Sequence, residues 1–314
     1  MFKVSLRSSS KFETMKFGSV DNPQNIDFSL PPDHKDTAGV LSTFEIKNPP
    51  YVYAGCSNWS KSVLKGFYPR GTKDELNYYS KQFNSIELNA TFYRIFPPDT
   101  FVSWYDKTPE GFKFFPKLFQ EISHWKRLKG VEKVVDDYLY SASNLKEKLG
   151  TIFLQMHSNF APKDFDKVEA FVKAWPSEIP LAIEFRHSDW YNDAAVAERL
   201  YNLFEIHNIA NVIVDTAGRR DLMHMRLTNG TAFIRFVWAN HESDYGRLDQ
   251  WVTRLKEWQQ QGVQEIDFFI HQNIEKEQPL LMAYFIKILN AKMGTDLKIP
   301  NKDQNTELLS HQHH

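Results

Sequence analysis

The richest chemistry in this sequence lies where an apolar run turns charged, at Leu181-Ala182-Ile183-Glu184-Phe185-Arg186-His187-Ser188-Asp189-Trp190. In an extended strand Glu184 and Arg186 share one face and Phe185 takes the other, because side chains alternate. Opposite charges side by side at a partly desolvated position hold each other ionised. Such a pair fixes a loop as architecture. Equally, it presents Arg186, whose planar fork grips a phosphate or carboxylate. His187 and Trp190 add a titratable ring and a stacking surface to the same run.

Other runs end in similar chemistry. Glu87, Asn89, Thr91 and Tyr93 alternate, so they share a face if the strand persists. A Glu facing an interior is costly unless paired. Glu87 is therefore either an acid–base group or the partner of an Arg from another strand. Lys117 follows the apolar stretch 112–115 and can hold an anion as a point charge. His124, in Ser123-His124-Trp125, is an acid–base candidate or a loop anchor. Gln155 and His157 share a face. Arg235 lies inside a later run, with Trp238 and Asn240 beyond it. Asp215 and His271 end two more runs.

The candidate catalytic residues are thus Glu87, Glu184 and His124. The candidate substrate-binding residues are Asn89, Tyr93, Lys117, Gln155, Arg186, His187, Trp190 and Arg235. None is assigned to a metal. In Gly55-Cys56-Ser57-Asn58-Trp59 the single Gly lacks the spacing of a phosphate-binding fingerprint. Cys56 reads as a packed residue, not a nucleophile.

The elements that must position these residues are regular. Eight short β-rich runs occur, at 51–54, 85–88, 112–115, 151–155, 181–185, 210–214, 232–237 and 265–270. Helix-like stretches follow them. Leu76, Tyr79 and Phe83 share a helical face, as do Leu248, Trp251, Val252, Leu255 and Trp258, and Leu281, Phe285, Ile288 and Leu289. Strands alternating with helices predict a parallel sheet with crossovers. Eight repeats without a split favour an α/β fold of one kind, a single (β/α)8 TIM-like barrel. Residues 1–48 read as an N-terminal extension, partly disordered or wrapped on the barrel. Residues 49–293 form the barrel, and 294–314 a flexible polar tail. Barrel active sites sit at the C-terminal ends of the strands, which is where the residues above fall.

Composition narrows the partners. The formal net charge is -1, without the basic excess of a nucleic-acid or membrane-surface protein. Lys113, Lys117, Lys126, Arg127, Lys129 and Lys133 form a local basic bias that reads first as a solvated face. A lone cysteine forms no intramolecular disulfide and is compatible with a reducing compartment. No apolar run reaches the ~20 residues of a membrane span, and residues 1–15 lack the apolar core of a secretory signal. The expected location is cytoplasmic, without membrane association.

Several ordered pieces carry a family resemblance. They are Gly55-Cys56-Ser57-Asn58-Trp59, Phe67-Tyr68-Pro69, the run Phe83-Asn84-Ser85-Ile86-Glu87-Leu88-Asn89-Ala90-Thr91-Phe92-Tyr93-Arg94, Thr108-Pro109-Glu110-Gly111-Phe112-Lys113-Phe114, Ile122-Ser123-His124, Leu154-Gln155 and Glu184-Phe185-Arg186-His187 before Trp190. In order and spacing the chain resembles the YecE-like family, domain of unknown function 72, over roughly residues 51–289. The resemblance implies a TIM-like barrel and no established activity. The chain departs from the family pattern at Cys56, Asn58, His157, Val237 and His271, all at the expected mouth, which suggests an altered ligand or a lost activity.

Three functions compete. The first is a polar, anion-binding pocket acting on a phosphate- or carboxylate-bearing substrate, as a hydrolase or as an isomerase or lyase. The second is a non-catalytic barrel binding nucleic acid or a metabolite, with rim aromatics Trp59, Tyr93, Trp125, Trp190 and Trp238 available for stacking. The third is a metal-assisted phosphoesterase gathering Glu87, His157, Glu184, Asp215 and His271. No organic cofactor motif is present. A divalent metal is open but not favoured, because no tight ligand motif occurs.

Overall fold

The computed structural model describes residues 20–271 and 277–301. Expectations that fall on 1–19, on Gln272 and Asn273, or on the final histidines lie outside the described residues.

Among the described residues nine parallel strand segments alternate with helices, except that β6 and β7 follow each other directly. The strands are β1 (Tyr51–Cys56), β2 (Ser85–Leu88), β3 (Lys113–Pro116), β4 (Ile152–Gln155), β5 (Leu181–Glu184), β6 (Ala210–Asn211), β7 (Ile213–Thr216), β8 (Thr231–Val237) and β9 (Glu265–His271). The helices are α1 (Thr37–Leu41), α2 (Glu75–Tyr79), α3 (Pro98–Lys107), α4 (Glu132–Ala142), α5 (Phe165–Ala174), α6 (Asp189–Asn192), α7 (Ala194–Ile206), α8 (Ser243–Gln261) and α9 (Gln278–Met293). Asp74 caps α2 by accepting from the Asn77 amide, and Asp193 caps α7 by accepting from Ala195 and Val196. Each satisfies amides that the first turn leaves without partners.

The ladders form three sheets, ordered β1-β9-β8-β7, β2-β3 and β4-β5-β6. They do not run together into one closed ladder. Two isolated bridges, Phe114 with Leu149 and Lys117 with Phe153, link β3 to β4. Side chains link β1 to β2. Asn84 accepts from Ala54 N and donates to Val52 O, while the Tyr79 hydroxyl accepts from Cys56 N and donates to Ser85 O.

Strand alternation sorts the apolar residues into two clusters. Phe115, Phe153, Ala182, Ala210, Val212, Val214, Phe233, Val237 and Phe269 meet on the inner faces. Residues of opposite parity, such as Ile86, Phe114, Leu154, Ile183, Ile234 and Phe268, belong to the larger cluster shared with the helices. The inner rings pack closely, with Phe115 and Phe269 centroids 4.8 Å apart and Phe153 and Phe233 5.5 Å apart. That aromatic layer is the floor on which the polar residues of the next strand positions sit.

Two elements differ from expectation. The alternation expected through Tyr93 stops, because β2 ends at Leu88 and Asn89–Phe92 is a short 3-10 turn. The Thr91 hydroxyl reaches the carbonyls of Leu88 and Lys117, both at 2.8 Å, a local bond that competes with extended pairing. The run 210–214 is two segments, because the chain changes partner at Val212. β6 pairs with β5, and β7 pairs with β8.

The chain's early segment packs on the helices. Asp33 accepts from Arg254 and from the Trp258 indole, and Thr37 donates to Met225 O. At the far end Asn290 holds Leu297, and Asn301 bonds Tyr78 and Phe67. The expected tail is therefore tied down as far as Asn301. Among the described residues no helix is long and apolar enough to cross a membrane.

Candidate functional site

Above the aromatic floor one guanidinium organises the inner face. Arg235, on β8, donates from Nε and Nη2 to the two oxygens of Glu87 on β2, both at 2.9 Å. Its Nη1 donates to Glu184 on β5 and to Gln155 on β4, the latter at 3.2 Å. Glu87 and Glu184 are fully buried, and Arg235 is 4% exposed. Arg186 Nε donates to the second oxygen of Glu184 at 2.6 Å. His271 Nε2 lies 2.7 Å from Glu87 Oε2. The same nitrogen lies 3.0 Å from Arg235 Nη2, and burial pushes the imidazole down.

Charge and burial compete at each group, and charge wins for the acids. Burial is the largest single influence on the Glu87 carboxyl and raises it, but Arg235 and His271 together, by charge and hydrogen bonds, outweigh it and hold the group well below its ordinary value. Burial likewise opposes ionisation of Glu184, yet Arg186 and Arg235 draw it down to about 2. Both acids are thus carboxylates clasped by arginine. Both are ionised near neutral pH. The Glu87 and Glu184 expected as acid–base groups are brought together here as an ion network, and the Glu–Arg pairings foreseen as architecture are both present.

The rim beside the network is cationic. Lys117, just past β3, donates from Nζ to Gln155 Oε1 at 3.0 Å and lies 4.2 Å from the centroid of the Phe92 ring. Burial, then Arg235 and Arg186, bring its ammonium down to about 7, because both nearby carboxylates are already bound to arginine. His124 sits 5.0 Å from the Phe92 ring and 5.2 Å from the His157 ring, with Nδ1 2.8 Å from the Ser123 hydroxyl. Burial, then His157, Lys117, Arg186 and Arg127, bring it down to about 4. It is a neutral ring at neutral pH.

The remaining candidates divide. Gln155 joins Lys117 to Arg235. Asn89 donates to Ser57 O at 3.4 Å, a weak contact at the rim. Tyr93 is 67% exposed, as the 3-10 turn dictates. His187 accepts from Asp189 N at 3.3 Å and caps a turn. Trp190 is fully buried between Phe160 and Phe185, and its indole donates to Phe160 O at 2.6 Å. The expected stacking surface is therefore packing that roofs β5, because its ring and its N–H both have partners in the fold.

Asp215 points away from the network. It accepts from Arg220, from Arg247 at 2.7 Å and from the Trp251 indole at 2.7 Å, which pins β7 to α8. Of the five residues considered for a metal, Glu87, Glu184 and His271 share the Arg235 network, while Asp215 and His157 lie outside it. Among the described residues no group of three or more His, Cys, Asp or Glu is placed to hold a metal ion. Cys56 is fully buried at the end of β1. Phe92 was not foreseen as part of the site, and the contact of His271 with Glu87 was foreseen only for a metal. His271 shares strand parity with Phe269, a signal sufficient to place it inward.

The comparisons with known proteins agree with this architecture. The profile of a family described as "Protein of unknown function DUF72" matches residues 53–305. The UPF0759 protein YecE of Escherichia coli K12 is 26% identical over 230 residues, which cover 67% of this chain and 82% of that protein. The UPF0759 protein YunF of Bacillus subtilis 168 is 28% identical over 150 residues, covering 45% of this chain and 52% of that protein. A solved DUF72 family protein from Thermotoga maritima MSB8 superimposes with a TM-score of 0.60 at 26% identity, over 76% of this chain and 99% of its own. Another, from Enterococcus faecalis V583, gives 0.61 at 19% identity, over 78% and 99%. The motif resemblance and the profile meet on the same residues, and the chain belongs to the DUF72 family.

Proposed function

We propose that the C-terminal ends of the strands bind a small phosphate- or carboxylate-bearing molecule and act on it. The carrying observation is an imbalance of charge on that face. Both carboxylates are clasped by Arg235, while Lys117 and Arg186 stand beside two imidazoles. His124 and Lys117 are each pushed down in part by neighbouring positive charge. After burial, Arg186 lowers both groups, and Lys117 also lowers His124, so positive charge gathers on this face and an anion relieves it. This reading takes the strand cycle as one (β/α)8 barrel. The shared inner cluster and the bonds spanning the β1–β2 and β3–β4 gaps support that reading.

Calorimetric titration with inorganic phosphate, sugar phosphates and nucleotides tests it. A binder is expected, weakened at least tenfold in Arg186→Ala. Bound anion should also raise the His124 pKa, read from its ring signals by NMR. A broad panel without a binder overturns the reading.

A second reading has one specific support. Tyr93 and Trp125 are 67% and 62% exposed near the cationic rim, which suits stacking on bases of a single strand. Phosphate-led binding of an oligonucleotide weakens steeply with salt, and a flat salt response rejects it.

A further inference from the structure

We propose that Lys117 is a nucleophilic amine that forms an imine with a carbonyl compound carrying an anionic group. The inference deepens the anion-binding reading of the same face and rests on it. Two lysines are buried among the described residues, Lys117 at 8% exposure and Lys148 at 5%, and they differ in kind. Lys148 donates to the carbonyls of Tyr105 and Thr108, each at 2.6 Å, and to the Thr108 hydroxyl at 3.2 Å. Its ammonium is fully bonded and ties α3 to residues 143–148. Lys117 Nζ has a single hydrogen-bond partner among the described residues, the amide oxygen of Gln155. A half-buried aromatic ring, Phe92, covers it.

The backbone of Lys117 is fixed while its amine is not. Its carbonyl accepts from Tyr138 at 3.0 Å and from Thr91 at 2.8 Å, and its N–H donates to Leu88 O at 3.2 Å. A rigid strand end thus carries a sparsely bonded amine, as a reacting group requires. The charged and titratable groups around it are Glu87 on β2, Glu184 and Arg186 at β5, Arg235 on β8, His271 on β9 and His124 on the loop after β3. The two carboxylates are held by arginine, so the cations dominate. A lysine desolvated beside other cations is an activated nucleophile, and the fall of its ammonium to about 7 agrees.

The reaction balances without a redox partner. The amine nitrogen attacks the carbonyl carbon, a C–N bond forms, and the carbonyl electron pair moves to oxygen, which takes a proton. The nitrogen loses a proton to the neutral His124 ring or to water. The C–O bond then breaks, oxygen leaves as water with a returned proton, and the nitrogen lone pair completes the C=N bond. The protonated imine withdraws electrons from the adjacent carbon, which suits proton shifts or carbon–carbon cleavage there. Arg186 would hold the anionic group.

The test uses the whole protein and pyridoxal 5′-phosphate, an aldehyde carrying a phosphate, with borohydride reduction and peptide mapping. The expected result at neutral pH is an adduct on Lys117 formed at least tenfold faster than on exposed lysines such as Lys35 or Lys133. A surface lysine has about 10³-fold less free amine at that pH. Inorganic phosphate should slow it, and Lys117→Arg, checked for folding by circular dichroism, should abolish it. Adducts confined to exposed lysines overturn the proposal. If phosphate still binds by calorimetry in that case, the anion-binding reading stands while the imine falls. Lys117 modification that phosphate does not slow, and that pyridoxal matches, keeps the amine and overturns the anion-binding reading.

Discussion

Arg235 neutralises two fully buried carboxylates, so its removal leaves both uncompensated. Breaking a buried pair costs about 3–5 kcal/mol. We therefore expect Arg235→Met to lose at least that much in urea denaturation, and Arg235→Lys to recover little, because an ammonium lacks the fork that serves Glu87 and Glu184 together. A wild-type midpoint for Arg235→Met would reject this account of the network. Asp267 is the opposite case. It is fully buried on β9, and among the described residues neither carboxyl oxygen has a well-formed hydrogen bond, Thr151 being only a weak partner. Burial, reinforced by the charge of Glu265, raises it well above its ordinary value, with Thr151 and Lys113 pulling weakly the other way. A raised acid favours the fold fully below its unfolded pKa of about 3.9, and that contribution is lost as pH rises through the folded value. The Asp267 contribution should therefore shrink as pH rises from 5 to 8, so Asp267→Asn should gain stability relative to wild type across that range. Parallel stability–pH curves for the two proteins would contradict the assignment. The sequence made Glu87 and Glu184 legible as partners for arginine, because a charged residue at an inward parity must be paired. It did not reveal that one arginine serves both, since the partner across the interior depends on register.

Between elements β1 approaches β2 closely at Gly55. A Cβ on Gly55 would lie 2.2 Å from the Ser85 carbonyl oxygen, which is backbone and cannot yield. Gly55→Ala must push the strands apart and break the bonds that Asn84 and the Tyr79 hydroxyl make across the gap. Overpacking of this kind costs about 1–3 kcal/mol. Gly39→Ala is the matched control, for nothing lies within 4 Å of its would-be Cβ, and a helical Ala is neutral or stabilising. Equal thermal midpoints for the two variants would show that β1 and β2 adjust freely. Seven of the eight expected strands lie within two residues of their positions, because buried parallel strands read as apolar β-rich runs. The exceptions have local causes. Thr91 offers the chain a hydroxyl turn at the end of β2, and Val212 sits where one strand exchanges one neighbour for another. Neither signal is periodic, so periodicity could not show it.

Across the whole molecule, repetition was the legible feature, and the joining of ladders was not. Eight repeats and a set of ordered motifs led to the family. The contacts between β1 and β2 and between β3 and β4 depend on side chains and isolated bridges that no pattern announces. The early segment is a similar case. It lies outside the matched family residues, which begin at 53, and its Pro-rich, aperiodic sequence read as an extension. In the structure Phe28 and Leu41 are buried, Arg247 lies 4.5 Å from the Phe28 ring centroid, and Asp33 clasps Arg254 and Trp258. Residues 34–36 also wall a cavity of about 490 Å³ with Tyr191, Tyr201, His224 and Arg226. Each buried apolar side chain contributes about 1.5–3 kcal/mol, so two of them imply at least about 3 kcal/mol before the clasp is counted. At about 2–4 °C per kcal/mol for a domain of this order, deletion of residues 1–48 should lower the thermal midpoint by at least about 6 °C. Asp33→Ala should reproduce part of that loss, because it strands the Trp258 indole and Arg254 without their shared acceptor. A truncated chain that melts with the full-length protein in differential scanning calorimetry would make the segment a passenger on the fold. The expected drop would make it a wall of the fold that this chain adds to the family's common core.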